Sequence, residues 1–285
     1  MTLRRFAVPA LLACSIAFPL ACSSDAPTAE AKPCPSAEAQ PEPDPKPEPK
    51  PEPKPDPKPD PKPEPPPDIT PPVRETVTVK AGAFSSGCDS DRFVCAGEVN
   101  QITLPAYTID RFEVTESEYA LCVQARRCPA PSSGLPWPPA AQSKLPVRNV
   151  SMLGAERFCH WVGEQLPTAA QWEKAARGTD GRKFPWGDEE LHCRYAAIKE
   201  CVTAPQAVGS FPDGGSPYGA LDMIGNVAEF VAIAQSGNGV DFSKNGGSYL
   251  TDPSFLKIYS PLVGGAISQE YTADLETGFR CARWQ

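Results

Sequence analysis

Alternating apolar and polar positions predict strands in the first half of the folded region. Residues 77–84 and 102–110 alternate in this way, which is typical of half-buried strands, and Gly82 predicts a bend in the first strand. Beyond residue 178 the chain is rich in Gly, Pro and aromatic residues and has few periodic runs. The pattern therefore favours an α+β domain with little regular secondary structure and many loops.

Helical spacing of apolar residues follows three capping residues. Thr115 and Thr168 each begin a capping box, with Glu or Gln three positions later, and Ser151 is a third N-cap. Apolar side chains then recur three or four positions apart, as on one helix face. Gly163 and Gly178 are predicted to end the second and third helices.

The first 21 residues are typical of a secretory signal. Arg4 and Arg5 precede a mostly apolar run that ends in a small residue before Cys22. We interpret residues 1–21 as a lipoprotein signal peptide and Cys22 as the lipidated residue, so that a lipid anchor holds the protein on a membrane. Cleavage at Cys14 and ordinary signal cleavage are the alternatives. We expect an exported, membrane-anchored protein of the periplasm or cell surface.

Residues 22–70 form a second segment, in which nearly every other residue from 41 to 67 is Pro. Pro fixes φ and removes the amide donor, so this composition favours polyproline II over helix or sheet. About 27 residues at roughly 3.1 Å each give a spacer of roughly 85 Å. The segment is thus predicted to be a disordered linker between the anchor and the domain, with a ligand role as the alternative.

One domain remains, at residues 71–285, and it is long enough for a hydrophobic core. The formal charge of −8 and the isoelectric point near 5.0 give no basic surface signal, so we expect no nucleic-acid partner.

Eight cysteines lie in this domain, and an even number in an exported protein favours disulfides. Three pairs are close in sequence and leave two residues for a long-range bridge. The predicted pairs are Cys88 with Cys95, Cys122 with Cys128, Cys193 with Cys201, and Cys159 with Cys281. Eight cysteines allow 105 connectivities, so the local pairs are hypotheses.

Four ordered segments carry a family resemblance: 166–178, 184–188, 225–230 and 278–281. Together they resemble the formylglycine-generating enzyme, or sulfatase-modifying factor, domain. This resemblance implies a compact C-type-lectin-like fold with two helices packed on a small twisted sheet. It also implies a disulfide between Cys159 and the terminal Cys281, which agrees with the pair left over above.

Oxidases of that family bind Cu(I) through two thiolates after a Gly-Gly-Ser-Tyr segment, since soft sulfur ligands suit this ion. The matching positions here are Thr251 and Leu256, and no cysteine lies between Cys201 and Cys281. We therefore expect no copper centre and no catalytic residue. The residues that would remain in the substrate groove are Ser248, Tyr249, Thr251, Ser254 and Arg280.

The resemblance also implies a calcium site at the Gly-Asn-x-x-Glu turn. Its ligands would be the Asp222 and Glu229 carboxylates and the carbonyl oxygens of Gly225 and Val227. Hard oxygen ligands from a tight turn are what calcium prefers. The alternative is that the two acids are solvated loop residues.

Other relatives use a three-histidine iron site, which the two histidines of this chain, His160 and His192, cannot form. Our functional hypothesis is an envelope lipoprotein whose domain binds or supports an envelope protein or peptide ligand without catalysis. One alternative is an oxidase or other protein-modifying enzyme. Another is a lectin-like surface protein that presents residues 254–277 as its ligand-binding face.

Overall fold

The computed structural model describes residues 67–87, 99–132, 135–233, 242–256, 258 and 273–285. Within these ranges it contains three α-helices and eight short strands. The helices are α1 (Glu116–Gln124), α2 (Met152–Trp161) and α3 (Ala169–Arg177). None of the described helices is long and apolar enough to cross a membrane.

The strands form three small sheets. They are β1 (Thr76–Val79), β2 (Gly82–Gly87), β3 (Val99–Leu104), β4 (Tyr107–Asp110), β5 (Ala228–Ala232), β6 (Phe242–Asn245), β7 (Thr277–Gly278) and β8 (Ala282–Trp284). The sheet orders are β1-β4-β8, β2-β3 and β6-β5-β7. All pairings are antiparallel except that of β5 with β7. The predicted α+β class with little regular structure is confirmed.

Each of the two predicted strands is divided into two strands that belong to different sheets. The segment 77–84 breaks before Gly82, whose φ of 137° lies in a region that favours glycine. The segment 102–110 breaks at Pro105, which has no N–H to donate to a ladder. The prediction placed the strands and the bend at Gly82 correctly, but it took each run for one strand and did not include the break at Pro105.

All three predicted helices form, and their N-caps are the predicted residues. Thr115, Ser151 and Thr168 each accept the backbone N–H of the residue three positions later, at 3.1 to 3.3 Å. Each cap thus satisfies one N–H that has no partner within the helix. Gly163 and Gly178 follow the ends of α2 and α3 with φ of 82° and 74°.

Helix α3 is buried on its polar side as well as on its apolar side. Trp172 is fully buried, and so is Lys174, whose Nζ donates to the Gly82 carbonyl at 2.7 Å. Arg177 Nη1 donates to the Ser85 carbonyl at 2.8 Å. These two cations satisfy carbonyls of β2 and fix the bend between β1 and β2.

Three disulfides link the described part of the chain. They are Cys122–Cys128, Cys159–Cys281 and Cys193–Cys201, the pairs predicted above. The predicted pair Cys88–Cys95 lies outside the described residues, as do Cys22 and nearly all of the Pro-rich segment. The long-range bridge ties α2 to the C-terminal segment inside an aromatic cluster around Phe158 and Phe279.

Candidate functional site

The loop from Asp222 to Glu229 turns sharply and is held at its centre. Asp222, Gly225 and Asn226 have positive φ values of 57°, 77° and 54°. A Cβ on Gly225 would lie 2.3 Å from the Ala197 carbonyl oxygen, so only glycine fits this close approach. Asn226 Nδ2 donates to Glu113 Oε1 at 3.0 Å, which joins the loop to the short segment between β4 and α1.

Glu229 forms a buried ion pair with Arg280. Arg280 Nε donates to Glu229 Oε2 at 2.6 Å, and Nη2 donates to Oε1 at 2.7 Å. Trp172 Nε1 donates to the same Oε2 at 2.8 Å. Both charged residues are fully buried, so this pair is the polar centre of the core.

Two further carboxyl groups face this centre. Burial raises the pKa of Asp222 to about 6, although the Gly209 N–H and the Arg280 charge favour its ionised form. Burial, followed by the charges of Asp222 and Glu229, raises the pKa of Glu113 well above its usual range. Burial opposes the charge of Arg280, but the surrounding carboxylates hold its pKa above the usual value.

The arrangement fits a hard cation better than the four predicted ligands alone suggest. Glu229 accepts three hydrogen bonds, which leaves about one of the roughly four lone-pair sites of its carboxylate for a metal. Glu113 Oε2, in contrast, is buried and has no hydrogen-bond partner. Three carboxyl groups around one guanidinium leave excess negative charge that a proton or a cation would neutralise.

The first copper-ligand position of the family is occupied by a turn residue. Thr251 Oγ1 accepts the Ser248 N–H at 2.9 Å, and Ser248 Oγ donates to Glu276 Oε2 at 2.5 Å. Ser248 is nearly fully buried. The hydroxyl groups at this position therefore hold the turn against the segment before β7.

The second position is occupied by a core residue. Leu256 is 1% exposed and packs in the cluster that contains Trp172 and Met223. Its neighbour Phe255 points outward with 65% exposure, and Leu250 is 44% exposed. The segment thus buries the side chain that replaces the thiolate and presents apolar side chains to solvent.

The remaining predicted groove residues do not share one exposed surface. Tyr249 is 8% exposed, whereas Ser254 is exposed and its Oγ donates to Asp252 Oδ1 at 2.6 Å. Arg280 lies in the core with Glu229 rather than on a groove wall. Only the exposed part of this segment is available to a ligand.

A second group of metal-ligand atoms has a structural explanation. One ligand atom each of Asp110, Glu164 and Cys281 lies within 4.8 Å of the others. Cys281 is in a disulfide, and its N–H donates to Asp110 Oδ2, which also pairs with Arg74. Asp110 and Cys281 therefore have partners without a metal, whereas Glu164 Oε2 has no hydrogen-bond partner among the described residues.

Sequence reasoning missed Glu113 and Glu276. Glu113 lies between β4 and the Thr115 cap, and no spacing rule connects it with the loop more than 100 residues later. Glu276 lies near the end of residues 254–277, the segment considered above as a possible ligand-binding face. An acidic residue next to a predicted buried strand was the available signal for Glu113.

The family follows from a comparison with known protein families. The model described as a sulfatase-modifying factor enzyme 1-like domain matches residues 61–285. The chain belongs to this family.

Curated relatives of this sulfatase-modifying factor domain include two kinds of enzyme. Hercynine oxygenase of Mycobacterium tuberculosis is 41% identical over 90 residues, 30% of this chain and 21% of that protein. Formylglycine-generating enzyme of the same organism is 31% identical over 173 residues, 48% of this chain and 56% of that protein. The enzyme of Bos taurus is 26% identical, and the match covers 74% of this chain and 75% of the enzyme. The chain thus spans about a fifth to three quarters of these relatives.

PvdO from Pseudomonas aeruginosa is a solved structure with the same fold. Its TM-score is 0.62 and its sequence is 22% identical, and the match covers 74% of this chain and 95% of PvdO. Treponema denticola variable protein 1 has a TM-score of 0.59 and 20% identity, and covers 74% of this chain and 95% of that chain. At these identities the likeness establishes the fold.

Proposed function

We propose that this protein is an exported, lipid-anchored envelope protein whose sulfatase-modifying factor domain binds a peptide or protein segment without oxidising it. The observation that carries the proposal is the occupation of the two family copper positions. Thr251 holds a turn through its hydroxyl, and Leu256 fills the core.

The residues at these positions do not fit Cu(I). The ion prefers thiolate ligands, and neither a hydroxyl that already accepts a hydrogen bond nor a buried isobutyl group supplies one. Ser248, the remaining polar residue there, is buried and donates to Glu276. We therefore derive no oxidation step for this site.

An iron-dependent oxygenase activity also lacks its ligands. The chain has two histidines, His160 and His192. His160 is exposed near the end of α2, and His192 Nδ1 accepts the Arg194 N–H at 3.2 Å. The relatives named as hercynine oxygenases match only 30% of this chain, so their activity is not carried over.

Binding is supported by the exposed apolar residues of the same segment. Leu250 and Phe255 are 44% and 65% exposed, and Leu275, next to Glu276, is 45% exposed. Solvent-exposed apolar side chains that flank a rigid polar turn are suited to contact with an extended peptide.

Turnover of a model substrate tests the absence of oxidation. The full chain is loaded with Cu(I) and incubated with oxygen and a Cys-x-Pro-x-Arg peptide, with an active formylglycine-generating enzyme as control. We expect mass spectrometry to detect an aldehyde product only in the control. Aldehyde formation by this protein would support the oxidase alternative and overturn the proposal.

Site-specific crosslinking tests the binding role. A photoreactive amino acid replaces Phe255 in one variant and exposed Gln124 of α1 in a control variant, both in intact cells. We expect a discrete crosslinked partner for position 255 alone. The same products at both positions, or none at position 255, would contradict a ligand surface there.

The anchor is tested at Cys22. Labelling with a fatty-acid analogue is expected to mark the unaltered chain, and Cys22→Ala is expected to abolish the label and release the protein from membranes. A label retained in Cys22→Ala would contradict this assignment, and a label lost in Cys14→Ala would support the competing site.

We propose further that calcium occupies the acidic centre, held by Asp222, the carbonyl oxygens of Gly225 and Val227, Glu229 and, in addition, Glu113. Support comes from the unpartnered Glu113 Oε2 and the excess of carboxyl groups around Arg280. At a calcium concentration of about 100 Kd, binding would stabilise the fold by about 2.7 kcal/mol.

The experiment compares the melting temperature of chelator-treated protein with and without calcium. The expected rise should disappear in Glu113→Gln and persist in the matched surface variant Glu200→Gln. A melting temperature that calcium leaves unchanged in the unaltered protein would show that protons neutralise this centre instead.

A further inference from the structure

The outer face of α2 forms one wall of a cavity of about 540 Å³. Its apolar part consists of Leu153 and Trp161 from α2 and Leu166 from the segment after it. Leu153 is 42% exposed and Leu166 is buried, so the apolar surface runs from solvent into the fold. The volume lies in the range typical of small-molecule sites, and the cavity shares no residue with the segment around Thr251.

Two guanidinium groups line the cavity without partners. Arg157 lies on the same helix face as Leu153 and Trp161, since the three are four residues apart. Arg127 follows α1 and lines the same cavity. Both are exposed, and within the described residues neither side chain makes a hydrogen bond or ion pair. They are free to bind a carboxylate in the bidentate manner that arginine favours.

Two carboxyl groups line the same cavity. Glu156 and Glu164 form no ion pair with the two arginines, and Glu164 Oε2 is buried without a hydrogen-bond partner. Burial raises the pKa of Glu156. Burial, with the charge of Asp110, raises the pKa of Glu164 to about 7. An ammonium group in the cavity beside the Glu164 carboxylate would favour its ionised form.

Both kinds of charge are therefore present in one apolar cavity, and they do not neutralise each other. A purely anionic ligand would leave the two carboxyl groups without a cation, and a purely cationic one would leave the guanidinium groups without an acceptor. A ligand with both charges and an apolar side chain would contact the arginines, the carboxyl groups and the apolar residues of the cavity at once.

We propose that this cavity binds a short zwitterionic peptide of dipeptide size. Its carboxylate binds Arg127 and Arg157, its ammonium group binds Glu164, and its apolar side chain packs on Leu153 and Trp161. The site is independent of the proposed peptide surface at Phe255, and either can fail without the other.

Calorimetry with the full chain and the dipeptide Leu-Phe tests the proposal. Acetylation of the amino end and amidation of the carboxyl end each remove one charge and are expected to weaken binding by about tenfold or more. Arg157→Gln should lose the difference between the free and amidated peptides. Lys199→Gln, an exposed substitution outside the cavity, should leave all affinities unchanged.

Proton release provides a readout that a merely structural role would not change. The groups that act on Glu164 are Asp110, Arg74 and Arg283, together with the charged residues of the cavity wall. When a ligand ammonium group lowers the pKa of Glu164 from about 7, binding at pH 7 releases a fraction of a proton. The apparent binding enthalpy then depends on the buffer, and Glu164→Gln removes the part of this dependence that comes from Glu164, leaving the part from the peptide's own amino group.

Three results would overturn the proposal. They are no binding of Leu-Phe to protein that circular dichroism shows to be folded, equal affinity for the free and doubly capped peptides, and a buffer dependence that Glu164→Gln leaves unchanged.

Discussion

Removal of Arg280 should destabilise the fold more than removal of any surface arginine. The guanidinium makes five hydrogen bonds, two to Glu229 and three to backbone carbonyls, and is fully buried. Arg280→Met leaves the Glu229 carboxylate buried beside two other acids. Breaking a buried pair in this way costs about 3 to 5 kcal/mol. For a domain of this size the melting temperature should fall by roughly 6 to 20 °C.

The loss of stability in Arg280→Met should become larger as pH rises. Arg280 lowers the pKa of Asp222 and of Glu113, so its removal raises both further. A carboxyl group whose pKa is raised in the folded state contributes stability at low pH, and this is lost as pH rises through that pKa. For Asp222 in the unaltered protein this occurs near pH 6. The deficit of Arg280→Met should therefore be smallest near pH 5 and largest above pH 7.

Urea unfolding at several pH values, with disulfides intact and calcium removed, measures the effect. The matched control is Arg111→Met, because the ion pair of Arg111 with Glu75 is exposed and should contribute less than about 1 kcal/mol. Glu229→Gln in the Arg280→Met background should recover part of the loss, since it removes the buried charge. A loss below about 1 kcal/mol for Arg280→Met, or a loss independent of pH between 5 and 8, would refute the reasoning.

Two further perturbations test the other supports of the fold. Replacing Cys159 and Cys281 by Ala should lower the free energy of unfolding by about 5 kcal/mol, because that bridge closes a loop of 122 residues. Replacing Cys122 and Cys128, which are separated by 6 positions, should lower it by about 2 kcal/mol. Equal losses in urea unfolding would argue against loop closure as the cause. Thr168→Ala removes the N-cap of α3 and should lower the free energy of unfolding by about 1 kcal/mol. The control Thr203→Ala, at an exposed position, should lower it by less than half of that. Comparable losses for the two variants would mean that the cap contributes nothing.

Local signals were enough to predict the helices and to suggest the two short disulfides, whereas the pairing of Cys159 with Cys281 rested on the two cysteines left over and on the family resemblance. Thr115, Ser151 and Thr168 are capping residues in sequence and in structure, because a cap depends on a few neighbouring residues. The bend at Gly82 was predicted, but the break at Pro105 and the division of each run between two sheets were not. An alternating apolar and polar pattern can continue through a bend even where the pairing partner of the strand changes. Here β1 pairs with β4 and β2 pairs with β3, in different sheets.

The acidic centre could be predicted only in part. The Gly-Asn-x-x-Glu turn indicated Asp222 and Glu229, but the partner that neutralises Glu229 lies 51 positions later in the chain. Arg280 was expected in a groove, since exposed arginine is the commoner case. Its burial follows from tertiary contacts, in which α3, β5 and the C-terminal segment meet around one carboxylate.

The segment from Phe279 to Trp284 has a consequence for the order of events during synthesis. It contains the cation that neutralises Glu229, the second half of the longest disulfide and strand β8, which completes the first sheet. The cation, the cysteine and the strand all follow their partners in the chain. Nascent domains generally begin to fold from the N-terminus, so these partners are made first. Until these six residues emerge, Glu229 has no counter-ion and Cys159 has a free thiol. The core of this protein therefore closes late, when the last strand of the domain is released.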